Sequence, residues 1–381
     1  MDGLIKAKLL ADLEAIVASN HTITDLIVQP GQPIAAFMPE GWVRAGEPVA
    51  RERIAEAAAE VTGVRDVFDT LAGAGAINQE HSFAGRRVRM DIASVLDAYG
   101  GSGIELTIRC YPRELPAFKS MALPPSVIDM LVGVRSGLIL VAGKANSGKT
   151  TLIASLLEDI NATRAAHVIT LEDPVEYVLQ PRLAVISHRQ VGTHVPSFAD
   201  GVRQALRQRP DVLMIGEIRD AETAATALSI AQSSLVIAST HATHTVPALQ
   251  RINQLAAGQN AMFAEALRAV ISLALLPDID KKSWVQAAEY ASGESQPVRR
   301  AIEGNTDREY AALREAFRTR PDAARPTAAD ATQAAKDAGQ LRSMNLGLAR
   351  LVADKRIDRD VARGASPDPA NLTDLLLKGR A

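Results

Sequence analysis

The segment Gly143-Lys144-Ala145-Asn146-Ser147-Gly148-Lys149-Thr150 has the spacing G-x-x-x-x-G-K-[ST], which suits one task, the holding of a phosphate chain. Its glycines let the backbone curl until its N–H groups, and the N-terminus of a helix behind them, face an anion. Lys149 has the charge and reach for β- and γ-phosphates, the Thr150 hydroxyl suits Mg2+, and Thr151 follows as a further phosphate-side residue. The flanks agree, because the strand-like run Gly137 to Gly143 precedes the loop and the helix-like TTLIASLLEDI follows it. A second element, Arg209 to Glu217, is a short apolar strand ending in a carboxylate, the form that completes a Mg2+ site in phosphate-loop proteins; Glu217 is its candidate residue.

Such residues need a parallel sheet to hold them. Between about 119 and 280, strand-like runs at Leu138 to Val141, Val168 to Leu171, Val212 to Ile215 and Leu235 to Ala238 alternate with helical stretches, which predicts an α/β domain. Residues 1–115 predict a small α+β domain: an amphipathic helix, then strand-like runs at Leu26 to Val28, Ile34 to Phe37, Val88 to Ile92 and Ile104 to Ile108. Pro112, Pro116, Pro124 and Pro125 punctuate a short connection, a hinge candidate. The expected division is therefore 1–115, 116–280 and a helical region over 281–381, within which about 318 to 336 reads as a loose connection.

Between the two acidic and phosphate elements lies Ile169-Thr170-Leu171-Glu172-Asp173-Pro174-Val175-Glu176-Tyr177, and here the chain resembles the secretion and twitching-motility ATPases, in particular PilT-like pilus-retraction ATPases. The run Gly216-Glu217-Ile218-Arg219-Asp220 with Ala221-Glu222-Thr223, and the histidine box Ser239-Thr240-His241-Ala242-Thr243, follow in that family's order. Thr24 to Val28 with Gly31-Gln32-Pro33 is similar to the start of the family's PAS-like domain, and Met344 to Arg363 to its closing helices. The resemblance weakens over about 280 to 340, Ser234 stands where many members carry another histidine, and Lys144-Ala145-Asn146 replaces the usual Pro-Thr-Gly. Asn146 tolerates a left-handed backbone better than most residues; Lys144 either adds charge near the phosphates or points to solvent.

The resemblance implies a RecA-like phosphate-loop core behind an N-terminal α+β PAS-like domain, binding ATP and Mg2+. It makes Glu176 the carboxylate that orients or activates water, Glu217 the support of Mg2+ and the γ-phosphate end, and Glu172 and Asp173 shapers of the metal's outer shell. It makes His241 a γ-phosphate sensor, although the residue also reads as a hydrogen-bonded core histidine. It puts arginines of the small domain across a subunit boundary, with Arg109 ahead of Arg89 and Arg113. It further implies a homohexameric ring working with inner-membrane platform proteins, in the cytoplasm at the inner face of the membrane.

Composition narrows the classes. The chain has 381 residues, 47% of them hydrophobic, and a formal net charge of -2, which argues against a disordered tail or a broadly basic nucleic-acid coat. Aromatic residues make up 4%, too few to interleave a basic patch with stacking platforms, so direct nucleic-acid binding by a RecA-like motor is not expected. A scaffold that nucleotide merely locks is the other alternative, against which the intact Glu176 and Glu217 speak. Cys110 is the one cysteine, so no internal disulfide or Cys-rich zinc element can form. The start, with Asp2, Lys6, Lys8 and Asp12 among its apolar residues, lacks the unbroken core of a secretory signal, and no apolar run approaches the roughly 18 residues of a membrane span. Pilus retraction and secretion or conjugation both remain open as outputs.

Overall fold

The computed structural model describes residues 8–97, 100–112, 114–319 and 341–377. Contacts gather the chain into two units: one runs to Leu115 and takes in Asp280–Trp284, the other is Pro116–Ile279 with the chain from Val285 onward.

In the first unit, α1 (Lys8–Ser19) buries Leu9, Leu10, Leu13 and Val17, which helical periodicity brings to one face. It is followed by β1 (Asp25–Val28), β2 (Ile34–Met38), β3 (Gly41–Ala45), α2 (Arg51–Thr62), α3 (Val67–Ala74), β4 (Ala76–Phe83), β5 (Arg86–Leu96) and β6 (Ser102–Cys110). The strands form a six-stranded sheet in the order β3-β2-β1-β6-β5-β4, with antiparallel neighbours throughout. Along β5, Val88, Met90 and Ile92 point into the core while Arg87, Arg89 and Asp91 alternate to the other face. Arg86 breaks that rule. It is buried on the core side, and its guanidinium is stabilised by donating to the carbonyls of Tyr111 and Ile23. The structure thus adds β3, β4, α2 and α3 to the elements legible in the sequence; α2 contributes only Ile54 and two alanines to the core, too weak an apolar stripe to stand out.

The second unit begins with α4 (Pro125–Gly133), β7 (Gly137–Gly143), α5 (Lys149–Thr163), β8 (His167–Glu172), β9 (Val185–Gln190), α6 (Phe198–Gln208), β10 (Val212–Ile215), α7 (Ala221–Ala231) and β11 (Leu235–Thr240). It continues through α8 (Thr245–Leu255), α9 (Asn260–Ala266), β12 (Leu267–Pro277), β13 (Trp284–Ser292), α10 (Gln296–Gly304), α11 (Asp307–Thr319), β14 (Leu341–Arg342), α12 (Met344–Ala353), α13 (Arg359–Ala365) and α14 (Pro369–Leu377). Eight strands lie in the order β14-β13-β12-β7-β11-β10-β8-β9, and every neighbouring pair from β12 to β9 is parallel. β7 and β10 are buried at every position, as expected of strands covered on both faces.

The chain after Pro277, read from sequence as turning helical, first adds β13 to the sheet. The alanine-rich run within it favours a helix in isolation; burial of Val285, Ala287, Ala288, Tyr290 and Ala291 within the sheet overrides that weak preference. Nor do residues 281–381 form one helical region apart. Val298, Ile302, Tyr310 and Leu313 of α10 and α11 join the main core over the parallel sheet, while Met344, Leu348 and Leu372 of the last helices, with Ile357 between them, pack with Leu276 and Val285 in a second cluster. Most of the expected loose connection at about 318 to 336 lies outside the described residues, as do Met1 to Ala7.

Candidate functional site

β7 ends in the phosphate loop, and the loop ends in α5. Gly143 has φ +152°, and a Cβ there would lie 2.1 Å from Ser147 Oγ and 2.9 Å from the Leu273 carbonyl, so only glycine fits. Asn146 adopts φ +60°, the left-handed conformation that makes asparagine a workable replacement for glycine. Gly148, at φ +90°, heads α5 and leaves the helix's first N–H groups facing the loop.

Lys149 is 9% exposed, and its Nζ donates to the carbonyls of Gly143 (2.9 Å) and Lys144 (2.8 Å). Burial pushes its ammonium below the ordinary lysine value, while the nearby charges of Glu217 and Glu176 pull the other way. Two buried hydroxyls, Ser147 Oγ in the loop and Thr240 Oγ1 on β11 across from Ala142, have no hydrogen-bond partner among the described residues. Buried orphans of this kind are costly unless a ligand or water completes them, and their position fits a phosphate group. Lys144 and Ala145 are exposed, so Lys144 points to solvent, yet its charge still reaches His244. Thr150 is half-buried, and Thr151 Oγ1 lies 3.0 Å from the Tyr177 hydroxyl.

The acids converge at the carboxyl ends of the central strands, the usual ligand edge of an open α/β sheet. Glu217, after β10, is buried; its Oε2 accepts from Arg219 Nε at 2.6 Å and lies 3.5 Å from His241 Nε2. Arg219 also reaches Asp173, with Nη1 3.7 Å from Oδ2, and stacks over the Phe198 ring. His241 is half-exposed beside an acid, which sets aside the reading of it as a core histidine. Ser239 Oγ donates to the Gly216 carbonyl and Ile218 N–H to the Ser239 carbonyl, locking the turn that carries Glu217 to the end of β11.

Glu172 and Asp173, adjacent in sequence, diverge. Glu172 is buried toward β9, with Oε1 3.6 Å from His188 Nδ1, and shares the lining of a small cavity with Thr150; Asp173 is exposed toward Arg219. Among the described residues, no cluster of three or more His, Cys, Asp or Glu forms a ready-made metal cage. The Thr150 hydroxyl and the Glu217 carboxylate are of the oxygen type that Mg2+ takes beside water and phosphate oxygens, while Glu172 and Asp173 point apart and do not form one donor set.

Arg89 and Arg109 belong to the first unit, where they are directly paired in the register of β5 and β6. Arg109 Nε donates to Asp25 at 3.1 Å, and Arg89 donates to Asn78 at 3.0 Å and Asp91 at 3.2 Å. Arg113 lies outside the described residues. The structure brings out Arg219, His188, Gln190 and Tyr177 as further residues about the acids. Arg219 sits in a motif quoted from the sequence but was not singled out there; His188 and Gln190 carry only the faint signal of polar residues two apart.

A parallel sheet with a phosphate loop after β7 and a glutamate after β10, preceded by an antiparallel α+β unit, defines a RecA-like phosphate-loop protein. Residues 125–305 match the family described as Type II/IV secretion system protein. The match takes in just under half of the chain, and two kinds of likeness relate the chain to PilT-like proteins. By sequence it is 35% identical over 195 residues to a twitching motility protein of Neisseria gonorrhoeae (50% of this chain, 52% of the relative) and 31% over 183 residues to the type IV pilus retraction ATPase PilT of Pseudomonas aeruginosa (46% and 53%). It is also 38% identical over 186 residues to the uncharacterized YggR of Escherichia coli (47% and 56%). The chain thus spans only 52% to 56% of these relatives' lengths. By structure it matches the pilus retraction motor PilT with bound ADP (TM-score 0.74, 28% identity, 96% of this chain and 99% of that one). It shares the fold of the Legionella pneumophila ATPase DotB (TM-score 0.78, 22% identity, 95% and 96%).

Proposed function

We propose that this chain is a Mg2+-dependent ATPase that works as a homohexameric ring and powers a cell-envelope machine, either pilus retraction or type IV secretion and conjugation. The observation that carries the reading is the buried Lys149, on which the charges of Glu217 and Glu176 act, at the head of the helix that follows a loop only glycine can form, beside two buried hydroxyls with no partner among the described residues. The ADP bound by a structural neighbour supports an adenine nucleotide.

In this reading the loop N–H groups, Ser147 and the α5 N-terminus, with Gly143 to Thr151 around them, bind the phosphates, and Lys149 exchanges its carbonyl partners for β- and γ-oxygens. Thr150 and Glu217, with Glu172 and Asp173 behind them, would hold Mg2+, whose charge neutralises the phosphates. Glu176 orients the attacking water and takes its proton, needing little more for a reaction governed by positioning and charge. Arg219 keeps the Glu217 carboxylate in place, and His241, against the same oxygen, senses the γ-phosphate end. Arg109, Arg89 and Arg113 act in trans from a neighbouring copy's first unit, which we take to be the family's PAS-like domain. In this reading the ring works in the cytoplasm, bound to inner-membrane platform proteins. Separately, among the described residues no helix is long and apolar enough to cross a membrane.

The test is ATP turnover and mass in solution for the full chain, beside Lys149→Ala and Glu176→Gln. Turnover by a ring that both substitutions abolish supports the motor; a monomer without turnover, or hydrolysis untouched by Glu176→Gln, sinks the assigned mechanism.

A further inference from the structure

The segment that carries Glu176 is irregular: from Asp173 to Ala184, between β8 and β9, it belongs to no helix or strand. Such a segment can aim a carboxylate only if other groups satisfy its backbone and hold it. Two side chains of β9 do so. The Val175 N–H donates to Gln190 Oε1 at 3.3 Å, and the Leu179 N–H donates to His188 Nε2 at 3.2 Å. His188 and Gln190 are two residues apart on one strand and therefore share a face, so their grips on either side of Glu176 come from a single rigid element.

The histidine is held from both sides. With Nε2 facing the Leu179 amide, Nδ1 is the nitrogen turned toward β8. Nδ1 lies 2.9 Å from Thr170 Oγ1 and 3.6 Å from Glu172 Oε1, so the same ring that holds Leu179 is oriented by two residues of β8. Between the grips the Tyr177 hydroxyl meets Thr151 of α5, and beyond them buried Asn161 of α5 donates to the Gln180 carbonyl and accepts from the Arg182 N–H. Thr150, Thr170, Glu172, Tyr177, Leu179 and His188 line one small cavity, which ties this network to the end of the phosphate loop. The charge of Glu176, the residue directly after the first grip, acts on Lys149.

We propose that His188 and Gln190 are positioning residues that fix the Glu176 carboxylate over the phosphate loop, an inference that rests on the ATPase reading of the site. They touch no substrate. They act through the Val175 and Leu179 amides, and the sensitivity of catalysis to a displacement of about 1 Å gives them leverage on turnover.

The experiment uses the full chain and the variants His188→Leu, His188→Gln, Gln190→Leu and Lys149→Ala, with amide hydrogen exchange, ATP kinetics and ADP titration on each, and melting curves to establish folding. Leu at either position removes the acceptor; Gln at position 188 keeps one. Each Leu variant is expected to speed exchange in peptides covering 174–180 and to lower kcat by about ten- to a hundredfold, with ADP affinity held within about threefold. His188→Gln is expected to restore both protection and most of kcat. Unchanged exchange in both Leu variants overturns the proposal, and so does faster exchange with unchanged kcat, or a Gln variant no better than Leu. A wild type that hydrolyses no more ATP than Lys149→Ala defeats the ATPase reading instead, and the exchange data then still decide whether β9 holds the segment. If His188→Leu does not fold, Gln190→Leu carries the same comparison.

Discussion

In the second unit Lys149, Glu172 and Glu217 are each less than a tenth exposed and lie at or beyond the carboxyl ends of β7, β8 and β10 of one parallel sheet, where charge is costly to bury. In the first unit Arg89 and Arg109 keep side-chain exposures of 33% and 43%, and each has an acid partner within its own sheet, Arg89 in Asp91 along the same strand and Arg109 in Asp25 opposite it in register. Expensive buried charge points to chemistry on the spot, because the group gains most when a ligand completes its surroundings. Exposed pairs cost little to make or to break, which suits arginines that would exchange a partner in their own chain for one in a neighbour. In the proposed reading, charged side chains thus serve a fixed site in one unit and a releasable contact in the other.

That contrast breaks most readily at Lys149. Lys149→Ala is expected to lower ATP turnover about a thousandfold with the fold intact, as steady-state kinetics and circular dichroism would register; a fall of less than about tenfold would remove the buried lysine from the chemistry. Gly143→Ala tests whether the loop's shape matters as much as its charge. With a Cβ 2.1 Å from Ser147 Oγ and an unfavourable φ, it should weaken ADP binding at least about tenfold and lower stability by about 1–3 kcal/mol, read by titration and denaturation.

His244, at the start of α8, sharpens the comparison by pH. Burial holds its imidazole below the ordinary value of 6.5, Glu289 opposing and Lys144 reinforcing the shift. The unfolded chain therefore binds the proton first, and its stabilising contribution, full above pH 6.5, is lost as pH falls through the depressed value. Melting temperature should fall from pH 7 to pH 5, and less steeply in His244→Asn. The smallest effect is expected from Arg109→Ala, under about 1 kcal/mol in stability since its pair with Asp25 is partly exposed. Turnover loss in Arg109→Ala confined to the assembled ring would mark action in trans; equal loss in dilute monomer would argue against it.

Much of the site was legible along the chain. Gly143 to Thr150 and Glu217 are local signals, since a glycine-rich turn between strand and helix and an acid closing an apolar strand each carry their meaning within a few residues. The strands β7, β8, β10 and β11 were legible for the same reason, as compact apolar runs. β9 was not: its VISHRQ is half-exposed and polar, as an edge strand can be, so no apolar run marks it. β12, apolar for most of its length, has a pattern that fits a buried helix as well as a strand. His188 and Gln190 escaped with β9, because their work is to meet amides nine and fifteen residues back, which no spacing rule encodes.

Local chemistry along the chain was therefore enough to mark the glycine-rich loop, the lysine at its end and the parallel sheet that carries them. Only the packed chain decided that Glu172 turns inward to β9 while its neighbour Asp173 turns outward to Arg219, and that β13 joins the sheet despite an alanine-rich sequence. The reason is physical. Loop curvature and strand burial follow from the residues at hand, whereas the direction of a side chain and the fate of a weak propensity depend on which distant strands and amides arrive beside them.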